Sequence, residues 1–357
     1  MKADLRYERV MEKMGNPYTL TFGKKPTEYI KRYEYVDEIK AAFLEEPARC
    51  NTYLIMGVRG SGKTVLMTAV SKEIEQEGNW VSVDLNSTQN LIEDLSYRLE
   101  DACESLGNIL DRGVDISVAG FGIGIGSRDN RDSVSRCERI FSALAKKGIK
   151  VLITVDEVTN DASMKQLASQ FQIWIRKDYP IFLLMTGLHE NINAIQNNPQ
   201  LTFLLRSPKV NVGPLGISQM TRQYEASLSI TSEKALELAQ ITKGYAFAYQ
   251  ALGMLCWNKD LQNDMGSILL ELENLLDEYV YQKIWQGLSE QDKLVLLAMS
   301  DEEAVRTKDI YEKIGMSLQT FSKYRERLIK KGIIRPYGHG LIEFTLPRFG
   351  KICEMYK

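Results

Sequence analysis

Histidine is nearly absent: His189 and His339 are the only two in 357 residues. That scarcity argues against a histidine-built metal centre or a histidine-based triad. The five cysteines, Cys50, Cys103, Cys137, Cys256 and Cys353, never stand in a C-x-x-C pair. They fit buried thiols in a reducing compartment, not a disulfide framework or a zinc site. No apolar run approaches the roughly 18–20 residues that a bilayer crossing needs. The opening stretch, MKADLRYERV, is too charged for the apolar centre of a secretory signal. Net charge is lacking too, at −2, so any contact with nucleic acid must come from a local patch. A cytoplasmic protein with no membrane span is expected, and the length implies two or three domains.

What is present is an alternation of strands and helices. Apolar runs stand at Asn51–Gly57, Trp80–Leu85, Lys150–Val158, Ile181–Gly187 and Pro208–Gly213, with helical patterns between them. That order predicts an α/β fold with a parallel sheet covered on both faces. Beyond Pro214 the strand signal stops and helices follow, the first opened by Thr231 or Ser232 as N-cap.

Two glycine-rich runs compete for a phosphate-binding role. Gly57-Val58-Arg59-Gly60-Ser61-Gly62-Lys63-Thr64 satisfies G-x-x-x-x-G-K-[ST], with a strand before it and a helix after. Its glycines admit torsions that let successive N–H groups converge on phosphate oxygens. The helix beginning near Lys63 turns its positive end to the same anions. Lys63 is expected to neutralise the β/γ-phosphates of ATP, and Thr64 to ligate Mg²⁺; Val65 completes the nucleotide-contacting set. Asp156 and Glu157 end the third strand as a Walker B pair, Asp156 for Mg²⁺ and Glu157 for polarising water. Thr186, ending the fourth strand, sits where it could touch the γ-phosphate or the attacking water; it could equally be an ordinary strand-end threonine.

The rival run, Ala119-Gly-Phe-Gly-Ile-Gly-Ile-Gly126, fails G-x-G-x-x-G in both registers and leads into no helix. Its apolar residues switch from even to odd positions after Gly120, as a bulge or tight hairpin would produce. A β insertion near 111–128, with its glycine-alternating part at 114–126, is expected there.

The C-terminal stretch reads as three short helices, the last opened by Ser317 and stopped by Gly332, then a hairpin turning at Tyr337–Gly340. That is the pattern of a winged helix-turn-helix. On the third helix Leu318, Phe321, Leu328 and Ile329 form the expected buried side. Gln319, Thr320, Lys323 and Arg327 share the other, with Arg335 on the wing. Between Ser317 and Arg335 six basic residues face one acid. This would suit double-stranded DNA; a winged helix for protein contacts with solvated lysines is the other reading.

The order of glycine loop, Asp-Glu pair, polar strand end, helical lid and winged-helix tail resembles the AAA+ ATPases of the origin-recognition/archaeal-ATPase branch. Asn16–Arg32 is similar to the lead-in of bacterial AAA family ATP-binding proteins, although Lys31-Arg32 stands where that family usually carries Gly-Arg. The resemblance implies a sheet ordered 5-1-4-3-2 and an adenine pocket around Tyr29 and Ile30. Arg206 matches where an arginine finger acts on a neighbouring subunit of a homo-oligomer; a helix-terminal arginine answering the dipole explains it equally. The lid region Lys243–Gly253, which often supplies a sensor arginine, has none here. The expected domains are a lead-in (1–50), an ATPase core (51–215), a helical lid (216–287) and a winged helix (288–357). The expected function is an ATPase whose nucleotide state controls assembly or DNA engagement. A signalling NTPase switch that holds a protein partner is the alternative, and a metabolic kinase is disfavoured because the C-terminal third is spent on helices and a winged helix.

Overall fold

Apolar runs long enough for a strand and too short for a helix assemble into a five-stranded parallel sheet. The computed structural model describes residues 15–21, 27, 29–109, 130–257, 259, 264–299 and 303–357, and the chain divides into two units. The β insertion expected at 111–128 lies outside the described residues.

The sheet unit comprises Arg32–Met56 and Lys63–Asn211. In chain order it holds α1 (Tyr33–Leu44), β1 (Thr52–Met56), α2 (Lys63–Glu75), β2 (Trp80–Leu85), α3 (Leu91–Ile109) and α4 (Asn130–Lys146). Then come β3 (Lys150–Val155), α5 (Ala162–Arg176), β4 (Ile181–Gly187), α6 (His189–Gln196), a 3-10 turn (Pro199–Arg206) and β5 (Lys209–Asn211). The strands pair in parallel in the order β2-β3-β4-β1-β5, which is the expected 5-1-4-3-2 read from the other edge. β1 and β4 are buried along their whole length, as central parallel strands covered on both faces are, and both are mostly apolar in consequence. Alternate residues of β4 serve opposite faces. Phe182 meets Phe43 and Trp80, with ring centroids 5.3 and 4.6 Å away. Ile181, Leu183 and Met185 join Phe141 and Trp174 in the other layer. At the start of α5 the Asp161 carboxylate accepts the Met164 N–H, satisfying one otherwise orphaned donor.

The helical unit comprises Met1–Lys31, Gly57–Gly62 and Val212–Lys357. It contains α7 (Ile217–Leu228), α8 (Ser232–Ile241), α9 (Ala246–Cys256), α10 (Met265–Leu276), a π turn (Asp277–Tyr281) and α11 (Gln282–Gln286). Thr231 is the N-cap of α8, accepting the Lys234 N–H. The lead-in docks through Tyr18, whose ring lies 5.9 Å from Tyr224 and 5.7 Å from Tyr249. Gly253 on α9 makes room for it: a Cβ there would stand 2.5 Å from the Tyr18 ring.

The same unit ends in α12 (Glu290–Leu297), β6 (Val305–Arg306), α13 (Thr307–Lys313), α14 (Leu318–Lys330), β7 (Ile334–Pro336), β8 (Leu341–Phe344) and α15 (Phe349–Glu354). Ser289 and Asp292 form a capping box on α12. Ser317 caps α14 by accepting the Thr320 N–H, and Gly332 at φ +71° follows its last turn. The β7–β8 hairpin gains β6 as a third antiparallel strand, in the order β6-β8-β7. Phe321 and Leu328 of α14 are buried as expected, but Leu318 is 58% exposed. It occupies the first turn of α14, where the helix has only begun to cover its neighbours.

Candidate nucleotide site

β1 ends at Met56 and α2 starts at Lys63, so the glycine loop Gly57–Gly62 bridges a strand and a helix start. Gly60 and Gly62 adopt φ values of +74° and +90°, torsions that L side chains rarely take. Lys63 is buried as the first residue of α2. No acid stands in the first turn of that helix, which leaves its positive end available to an anion. Val65, two residues on in the same first turn, is half-buried.

Within the sheet unit, register brings three strand ends together. Val155 of β3 is level with Met185 of β4, and Ile55 of β1 with Thr186. Asp156 lies just past β3 and accepts from both sides. The Thr64 hydroxyl donates to its Oδ2 at 2.7 Å, and the Thr186 hydroxyl donates to its Oδ1. The Glu157 N–H donates to Asp156 Oδ1 at 3.1 Å and to Thr186 Oγ1 at 3.2 Å. Glu157 itself holds φ +51°, a left-handed conformation that costs a non-glycine residue about 1–2 kcal/mol. Those two hydrogen bonds, both from one N–H, help hold the strained residue at the end of the strand. Thr64, Asp156, Glu157 and Thr186 are therefore one hydrogen-bonded group.

The donor chemistry suits magnesium. A threonine hydroxyl and one carboxylate are hard oxygen ligands, and Mg²⁺ normally completes its shell with water and substrate phosphates. Among the described residues no cluster of three or more His, Cys, Asp or Glu could hold a metal ion with protein ligands alone.

The sequence reading left His189 unassigned. It opens α6 directly after β4, and burial followed by the nearby Lys63 charge lowers its pKa below the usual histidine range, while a hydrogen bond with Asn211 opposes them. Its signal was positional only: two residues past the strand that carries Thr186. Tyr29 and Ile30 lie in the helical unit, where both are half-buried and Ile30 packs on the core. Arg206 is exposed at the end of the 3-10 turn, beside Leu205, which is 56% exposed.

This architecture recurs in solved structures. The Walker-type ATPase of Pyrococcus abyssi superposes with a TM-score of 0.65 at 13% identity, over 94% of this chain and 99% of that one. The ORC2 protein of Aeropyrum pernix, in ADPNP–ADP complexes, gives 0.58 at 13% identity over 94% and 96%. Cdc6p of Pyrobaculum aerophilum gives 0.50 at 14% identity over 94% and 97%. The fold is that of the ORC/Cdc6-type AAA+ ATPases. At these identities the likeness fixes the AAA+ fold and leaves the chemistry to the residues. Residues 278–351 match a family model described as a domain of unknown function (DUF8462). No curated protein matches the chain.

At the C-terminal end of the chain, Gln319, Thr320 and Lys323 are exposed along α14. Arg327 departs from the face they share. Its guanidinium is bidentate on Asp292, at 3.0 and 2.6 Å, and donates to Ser289 Oγ. The cause is Asp292, 1% exposed on α12: a buried carboxylate demands a cation, and a planar fork supplies one. Arg335 likewise pairs with Glu343 at 2.6 Å across the hairpin, and Lys330 with Glu326. Arg327→Ala should therefore lower module stability by about 1–3 kcal/mol, less than for a fully buried pair because the arginine is half exposed. Urea denaturation checks this, and an unchanged midpoint would return Arg327 to a purely surface role.

Proposed function

We propose that the chain binds ATP with Mg²⁺, hydrolyses it, and uses nucleotide state to control assembly or DNA engagement through a C-terminal winged helix. The observation that carries the ATP reading is the bonded group Thr64–Asp156–Thr186–Glu157 at adjoining strand ends, one residue from the buried Lys63. Ligands of open parallel sheets bind at the carboxyl ends of the strands. Lys63 would neutralise the β/γ-phosphates, with the N–H groups of Gly57–Thr64 around them and Tyr29 and Ile30 beside the adenine. Thr64 and Asp156 would hold Mg²⁺, which supplies charge neutralisation on the phosphates. Glu157 would accept a proton from water as its oxygen attacks the γ-phosphorus and the bond to the bridging oxygen of ADP breaks; Thr186 would orient that water. Arg206, exposed and adjacent to an apolar side chain, would reach the γ-phosphate of a neighbouring copy in a homo-oligomer. ATP binding followed by phosphate release tests the core of this reading, and a folded protein that takes up no nucleotide overturns it.

We read α12 to β8 as the winged helix, with α14 as its recognition helix and Gln319, Thr320 and Lys323 as its base- and phosphate-facing residues. Duplex affinity should then fall steeply with salt, and Lys323→Ala should reduce the log–log salt slope by about one. An unchanged slope would reject DNA contact by this face. The pairing of Arg327, Lys330 and Arg335 with Asp292, Glu326 and Glu343 favours the second reading, a switch whose winged helix holds a protein partner. On that reading the ATP chemistry stands and duplex binding is absent at all salt concentrations.

A further inference from the structure

Gly57–Gly62 groups with the helical unit although its flanking strand and helix belong to the sheet unit. The reason lies in the turn before α9. The Tyr245 hydroxyl donates to the Arg59 carbonyl at 2.7 Å, and the Phe247 N–H donates to the Gly60 carbonyl at 3.1 Å. The approach is close enough to require glycine: a Cβ on Gly60 would stand 2.2 Å from the Tyr245 oxygen. A Cβ on Gly62 would meet the Ala246 Cβ at 3.7 Å, in ordinary contact. Tyr245 is 5% exposed, and burial pushes its phenol well above the ordinary range, so the hydroxyl remains a donor across physiological pH.

We propose that Tyr245 is a positioning residue for nucleotide binding, holding the Arg59–Gly60 peptide so that the Gly60 N–H is set for a phosphate oxygen before the nucleotide arrives. This rests on the ATP-binding reading above. A trans peptide is planar, with its C=O and the following N–H on opposite sides. Fixing the Arg59 carbonyl toward Tyr245 therefore turns the Gly60 N–H the other way, and the Phe247 bond fixes the next peptide plane in the same manner. A loop pre-set in this way loses less conformational freedom on binding. Without the hydroxyl the Arg59 carbonyl loses the Tyr245 bond, and that constraint on the Arg59–Gly60 peptide is released.

Tyr245→Phe removes only that hydroxyl. Tyr224→Phe is the matched control: Tyr224 is fully buried in the same unit and donates to the Tyr249 carbonyl at 2.7 Å. Both variants are expected to melt at lower temperature than the parent. Dissociation of a methylanthraniloyl-labelled ADP, followed by stopped-flow fluorescence on the full chain, separates them. Tyr245→Phe should release it about five to ten times faster, the span of one lost hydrogen bond, while Tyr224→Phe matches the parent. An unchanged rate in Tyr245→Phe, or an equal acceleration in both variants, overturns the positioning role. A parent protein that binds no labelled ADP overturns the ATP-binding reading and this inference with it.

Discussion

Lys63→Ala should weaken ATP binding roughly 100-fold, the scale of losing a charge-assisted contact to a polyphosphate. The fold should survive. Lys63 opens α2, where alanine is a better helix former than lysine. The two effects separate in a thermal melt. A bound ligand present at 100 times its dissociation constant stabilises a protein by about 2.7 kcal/mol, so ATP should raise the melting temperature of the parent protein. In Lys63→Ala the nucleotide-free melt should lie near that of the parent, and added ATP at the same concentration should shift it little. A full ATP-induced shift in the variant would remove Lys63 from the binding site. A collapse of the nucleotide-free melt would instead mark Lys63 as structural.

The sheet was the part most legible in the sequence, and burial explains why. β4 is apolar from Ile181 to Met185 because a central parallel strand is covered on both faces and favours a near-continuous apolar run. Its first polar residue, Thr186, marked the strand end. The order of the strands was not readable from periodicity; it came with the family resemblance. β6 escaped notice because two residues, Val305 and Arg306, carry no alternation. The π turn at Asp277–Tyr281 interrupts a stretch whose composition reads as one uninterrupted helix.

Site legibility followed the same division between local and distant causes. The glycine loop and the Asp156–Glu157 pair are each a local motif, and the meeting of Asp156 with Thr186 follows once β3 and β4 pair in parallel. The Arg327 ion pair was not legible because helical spacing gives the direction in which a side chain leaves the backbone, not where a long one ends. Its destination is set by Asp292, 35 positions away, which in sequence is an unremarked capping residue. Tyr245 gave no signal at all. Its partner carbonyl on Arg59 lies 186 positions distant, and the lid region drew attention only for lacking an arginine.

Glu157→Gln should bind ATP as the parent does and turn it over about 100- to 10,000-fold more slowly, the usual contribution of a general base. The choice between the two acids follows from what their oxygens already do. Asp156 accepts from the hydroxyls of Thr64 and Thr186 and from the Glu157 N–H, so on the proposed reading it would organise donors and hold the cation. The Glu157 residue is exposed, leaving its side chain accessible to water. Glutamine preserves its size and accepts the same backbone position, so the hydrogen bonds that the backbone N–H donates to Asp156 and Thr186 at φ +51° should persist. Equilibrium binding together with single-turnover phosphate release reads the two quantities apart. Parental turnover in the variant would reject Glu157 as the base. Loss of binding alongside turnover would place its carboxylate in holding the nucleotide instead, which an acidic group facing phosphates could do only through an intervening cation.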